Sequence, residues 1–151
     1  MTTSLENISD LFLSLSNDFR LTALYQTSGS VALNDYLEPF LLFSIDDFAD
    51  ISSQDLTYST TTQLFTETLT QKNKNILAQI MTKYHLQREL QNIMQMTNFI
   101  VDKDFKTYSA ANNLKEKREL YNAKREEVSQ LLIDYGYKNN DWDSWELQEF
   151  S

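Results

Sequence analysis

The sequence contains no cysteine. That excludes a disulfide scaffold, a thiolate zinc site and a cysteine nucleophile. Only 2 glycines and 1 proline occur in 151 residues. Sheet proteins with many tight turns need more turn residues than this, so the scarcity favours long helices. Gly29 and Gly136 are too far apart for a G-x-x-x-x-G-K-[ST] loop, and G-x-G-x-x-G needs three glycines, which removes the usual phosphate cradle of nucleotide-dependent enzymes. No apolar run approaches the ~20 residues that span a bilayer. The start "MTTSLENISD" has no basic n-region of a secretory signal. A cytoplasmic chain without a membrane partner is the expectation. Histidine occurs once, at His85. Without a second His or any Cys it cannot anchor a common transition-metal site. It heads no Ser-His-Asp set either, and burial or simple surface placement is the plainer expectation.

What is present is ordinary for a globular chain. Apolar residues make up 41%, with 9 Phe, 8 Tyr and 2 Trp to fill a core. The length is most simply one domain over 1–151. Charge is unevenly placed. Residues 1–71 hold ten acids and one base, Arg20, which accounts for the whole net charge of −9. Residues 72–138 hold twelve bases and eight acids, and 139–151 hold four acids and no base. An acidic half makes nucleic acid an unfavourable partner. It suits a basic protein, because charge complementarity speeds encounter and selects the partner.

Periodicity places the elements. In "SLENISDLFLSL", Ser4 is a cap, and Leu5, Ile8, Leu11, Phe12 and Leu15 recur at helical steps. In "LTALYQTSGSVALNDYL" two short segments flank "TSGS", where Gly29 supplies positive φ; this predicts a β-hairpin near 21–36. Pro39 interrupts the chain, and Ser44 with Asp47 resembles a capping box that starts a short helix at "SIDDFADI". "TYSTTTQLFTETLT" packs seven Thr into fourteen residues, which weakens a helix there. From about Leu64 to Ile100 the pattern is helical, with a change of face near His85 that implies a bend, a break or burial on two sides.

Residues Ala110–Tyr135 form the clearest helix, opened by Thr107 or Ser109 and closed by Gly136 as a C′ residue. Leu114, Tyr121, Val128 and Tyr135 fall seven apart, and Lys117 and Lys124 take the intermediate seam positions. The stripe is narrow, as for an exposed helix leaning on one neighbour. The fold class expected is therefore mainly α: a small helical domain with a long antiparallel helical hairpin over about 64–135 and the short β-hairpin near 21–36.

Three groups of residues are candidates for function. Asp46, Asp47 and Asp50 spell D-D-x-x-D, the spacing with which terpene synthases hold Mg²⁺. Those enzymes enclose a large apolar cavity in a bundle about twice this length. An exposed acidic first turn, suited to the helix dipole, is the better expectation, with no metal and no cofactor. With Asp35, Glu38 and Asp55 these residues form a candidate partner-binding acidic face. The bases of "NLKEKRELYNAKREE" are interleaved with Glu116, Glu119, Glu126 and Glu127, which reads as a solvated face with local ion pairs. The tail "NNDWDSWELQEFS" sets Trp142, Trp145 and Phe150 in an acidic frame, as a docking segment would.

The resulting expectation is a non-enzymatic acidic protein that binds and inhibits or neutralises a basic protein, such as a nuclease, a toxin or a CRISPR effector. Phage anti-defence and toxin-immunity proteins share these traits. The alternative is a phage structural or assembly accessory protein that self-associates, as a homodimer for example, through its helical hairpin.

Overall fold

The computed structural model describes residues 2–16, 19–99 and 104–139. The described chain is mainly helical, with one small two-stranded antiparallel sheet. In order it runs α1 (Leu5–Ser16), α2 (Phe19–Ala49), β1 (Tyr58–Ser59), β2 (Leu64–Phe65), α3 (Gln71–Phe99) and α4 (Asp104–Asn139).

Helix α1 starts where its sequence says. Ser4 Oγ accepts the backbone N–H of Asn7 at 3.3 Å, and Asn7 Oδ1 accepts the backbone N–H of Ser4 at 3.0 Å. This is a reciprocal capping box with Asn in the third helical position. Leu5, Ile8 and Phe12 then face the core and are fully buried. The segment ahead of the cap is tied to the sheet: Phe65 N–H donates to Thr3 O at 2.8 Å, and Leu5 N–H donates to Gln63 O at 3.0 Å.

The β-hairpin exists, but not at 21–36. Those residues belong to α2, and Gly29 (φ 82°, ψ −179°) is a kink between two helical stretches. The left-handed φ anticipated at Gly29 is present, but the chain continues helical on both sides. The reason lies downstream: Leu33, Leu37, Phe40, Leu41, Ser44 and Phe48 recur at three- and four-residue steps and are all buried. Pro39 sits inside this helix rather than ending it, and it is exposed. The hairpin falls instead in the Thr-rich run, where Tyr58 pairs with Phe65 and Ser59 with Leu64. Branched and aromatic side chains suit a pleated surface. Gln63, at φ 57°, supplies the left-handed turn residue.

The helical hairpin is antiparallel and runs from α3 into α4. Lys117 meets Glu89, Lys124 meets Gln79, and the Lys72 ammonium lies over the Tyr135 ring, so position rises along α4 as it falls along α3. It starts at Gln71, not at 64, because Leu64 and Phe65 are strand and 66–70 connect. Thr70 Oγ1 caps α3 through the Asn73 N–H. Helix α3 packs against α1, α2 and α4 alike. Ile76 to Thr82 are seven consecutive buried residues, which only a helix covered all round can have. Burial on several sides, not a break, thus explains the change of face near His85.

Helix α4 begins at Asp104, ahead of Thr107 and Ser109, and continues past Gly136 to Asn139. Gly136 is therefore not a cap. A Cβ there would lie 3.3 Å from Ile51 Cγ2, so the residue is small where α4 crosses the chain after α2. As the heptad spacing predicts, α4 is held by one stripe in which Val128 and Tyr135 are buried and Leu114, Lys117, Tyr121, Lys124 and Leu132 are half-buried.

Among the described residues, no helix is long and apolar enough to cross a membrane.

Candidate functional site

The residues of the D-D-x-x-D motif lie at the wrong end of a helix for the sequence expectation. Ser44 is not a cap; it is buried inside α2, and its hydroxyl donates to Phe40 O at 2.7 Å. Asp46 and Asp47 occupy the last turn of α2, and Asp50 follows its end. Carboxylates there face the negative end of the helix dipole, which disfavours them locally. Asp47 is compensated from α3: the Tyr84 hydroxyl donates to its Oδ2 at 2.5 Å, and Lys83 Nζ lies 3.4 Å from the same oxygen. Among the described residues, no group of three or more His, Cys, Asp or Glu is arranged to hold a metal ion.

The six candidate acids divide into two sets. Glu38 accepts Tyr58 Oη at 3.1 Å and Gln63 Nε2 at 3.3 Å, which fastens α2 to the β-hairpin. Asp55 accepts the Thr57 hydroxyl at 2.6 Å and its backbone N–H at 3.0 Å. Those bonds hold its carboxyl below the ordinary Asp value. With Asp47, these three are bound into the structure. Asp35, Asp46 and Asp50 are exposed, as is Asp55. With Pro39 and Leu42, Asp35, Asp46 and Asp50 recur at steps of four, three, four and four along α2 and into the turn that follows it, so they line one side. Leu42 is 38% exposed and Phe43 50% exposed beside that line.

Next to this face a groove of about 350 Å³ runs between α2 and α3, lined by Pro39, Phe40, Phe43, Tyr84, Gln87, Arg88 and Gln91. Its aromatic wall is ordered by contacts: the Phe43 and Tyr84 rings lie 5.4 Å apart. Lys83 Nζ sits 4.4 Å from the Tyr84 centroid. The Arg88 guanidinium lies over Tyr36 and Phe40, at 5.4 and 5.9 Å from their centroids. Burial pushes the Tyr84 phenol well above its ordinary value, helped by its bond to Asp47 and the nearby charges. The phenol therefore stays a donor to Asp47. The outer side of α2 and the turn after it thus offer a row of carboxylates around an apolar centre, bounded on α3 by a guanidinium and two amides.

His85 is 3% exposed and takes no part in this surface. It sits edge-on to Phe12, Tyr36 and Phe40, with ring centroids 5.5 to 6.2 Å away. Its Nε2 lies 3.5 Å from Glu89 Oε1, and Glu89 Oε2 accepts Lys117 Nζ at 3.1 Å. The imidazole of α3 therefore meets α1 and α2 directly, and Glu89 links it to α4. The sequence offered no signal for this, because the three rings come from α1 and α2.

The bases of α4 also separate. Lys117 and Lys124 turn into the seam, where they meet Glu89 and Gln79, and Lys124 also reaches Glu127 at 3.3 Å. Lys115, Arg118 and Arg125 are exposed and make no ion pair among the described residues. The expected network of local pairs is thus confined to the seam side. Trp142, Trp145 and Phe150 lie outside the described residues. No known family model, curated protein or solved structure matches the chain.

Proposed function

We propose that this chain is a non-enzymatic binding protein that captures a basic protein partner on the outer face of α2 and thereby inhibits or neutralises it. The observation that carries the reading is the alignment of exposed Asp35 and Asp46 on α2, and Asp50 just past its end, with exposed Leu42 and Phe43. Carboxylates in a row steer a basic surface and set its register. Exposed aromatic and aliphatic side chains at the centre of such a row supply the apolar contact that holds it. The excess of acids in residues 1–71 extends the same field around the face. Basic nucleases, toxins and CRISPR effectors are the partner class this chemistry fits.

The test is a tagged pull-down from the native host's lysate, with wild type beside an Asp35→Lys/Asp46→Lys/Asp50→Lys variant. A basic nuclease or toxin that binds wild type, leaves at high salt and ignores the variant is the expected result. Equal capture by wild type and variant would remove the α2 face from the proposal.

A further inference from the structure

The exposed side of α4 carries a pattern that mirrors the α2 face. Lys115, Arg118, Asn122, Arg125, Ser129 and Ile133 recur at steps of three and four, and all are exposed. Along one edge of this stripe lie Arg118 and Arg125; one position further round lie Glu119 and Glu126, also exposed. The stripe thus has a basic edge and an acidic edge, seven residues apart within each. The α2 surface has the matching order. Asp35, Asp46 and Asp50 stand on the α2 side, and Arg88 stands across the groove on α3.

From these two surfaces we infer that the protein self-associates, the α2–α3 face of one copy docking on the outer stripe of α4 from a second copy. Laid along the groove in one of its two directions, the second copy's α4 runs its basic edge, with Lys115, Arg118 and Arg125, along the row of Asp35, Asp46 and Asp50. The same orientation sets Glu119 and Glu126 toward Arg88. At 1.5 Å per residue the row from Asp35 to Asp50 spans about 22 Å and Lys115 to Arg125 about 15 Å, so the three bases fall within the length of the row. Leu42 and Phe43 lie within that span and are the apolar part of the contact on the α2 side. A single helix laid on a groove buries less than the ~1,200 Å² of a stable interface, so the association is weak and concentration-dependent. The inference rests on the reading of the α2 face given above and adds its regulation. The second copy occupies the face until a stronger basic partner displaces it.

The experiment is sedimentation equilibrium on the full chain, from about 10 μM to 1 mM, at low and high salt, a range that brackets weak association. Wild type is expected to gain mass with concentration at low salt and to be monomeric at high salt. Asp46→Lys/Asp50→Lys and Arg118→Glu/Arg125→Glu are each expected to stay monomeric. All four positions are exposed, and circular dichroism verifies that both variants keep their helices. An equimolar mixture of the two variants is expected to regain association, because a reversed α2 face then meets a reversed α4 stripe. Wild type that stays monomeric throughout at low salt overturns the inference, and so does association that both variants retain. Neither result touches the pull-down, which reads a foreign partner. Loss of salt-sensitive capture there, with self-association intact, would remove the partner reading alone.

Discussion

Helices α3 and α4 are of similar length and form one hairpin, yet they are held in different ways. Helix α3 is covered by α1, α2 and α4, and its residues 76–82 are buried without interruption. Helix α4 leans on a single stripe, and two of the seam positions are lysines. A helix that is apolar on all sides belongs to the interior; one with a narrow stripe belongs to the surface. The difference shows which side chains are free for function. Those of α3 are largely committed to packing, whereas most of α4 and the outer face of α2 are open to a partner.

The sharpest way to break this comparison is truncation within each helix. Leu77→Ala, at a fully buried position of α3, is expected to cost about 3 kcal/mol, from lost burial and the cavity left behind. Val128→Ala, the buried centre of the α4 stripe, is expected to cost about 1.5 kcal/mol, from two methyl groups. Urea unfolding of both variants measures the gap. Equal costs would mean that α4 is as deeply packed as α3.

A smaller effect tests the polar seam. Lys124→Leu alone leaves the buried Gln79 amide without this partner. That is expected to destabilise the protein by about 1–2 kcal/mol. Adding Gln79→Leu is expected to recover the loss, since replacing both members of a buried polar pair is near neutral. A double variant that is worse than the single would show the seam to depend on the pair itself.

The smallest effect is a titration. Burial raises Tyr84 on α3, with help from Asp47, and burial likewise raises Tyr58 on β1, beside the Glu38 charge. On α4, burial alone would raise Tyr135 too. Hydrogen bonds from Ser53, Ser52 and Asn73 outweigh it and hold its phenol below the ordinary value. Absorbance of the phenolate, read on wild type and single Tyr→Phe variants, is expected to show Tyr135 ionising first and Tyr58 and Tyr84 last. The linkage has opposite signs. For Tyr84 and Tyr58, stability is fully present below about pH 10, the unfolded value, and lost as pH rises through the folded value. For Tyr135 it is present above about pH 10 and lost as pH falls through the folded value. Simultaneous ionisation of all three would contradict the contacts around them.

Several features were legible from residues close in sequence. The α1 cap needed only Ser4 and its helical run, and the α4 stripe needed only a seven-residue period. Misreadings arose where two local signals competed. At 21–36, the glycine and flanking polar residues resembled a hairpin, while the Leu33–Leu37–Leu41 spacing already marked a helix. At 57–70, the Thr run argued against a helix, and the hairpin it forms was missed because Leu64 and Leu69 continued an apparent helical stripe. Ser44 has the composition of a cap, which points to a helix start at Asp46. Its neighbours on the far side of Pro39 make it interior.

The sequence by itself determined a helical class, the first cap, the lysine-interrupted stripe of α4 and the segregation of acid into residues 1–71. Each depends on periodicity, composition or neighbours within a few positions. The tertiary structure alone decided which acids remain exposed. Glu38 is engaged by residues 20 and 25 positions away, and Asp47 by residues 36 and 37 away. It alone also closed the aromatic box around His85 and set Arg88 across a groove from the α2 carboxylates. Those outcomes depend on which surfaces meet when apolar area is buried, and no local pattern records that choice.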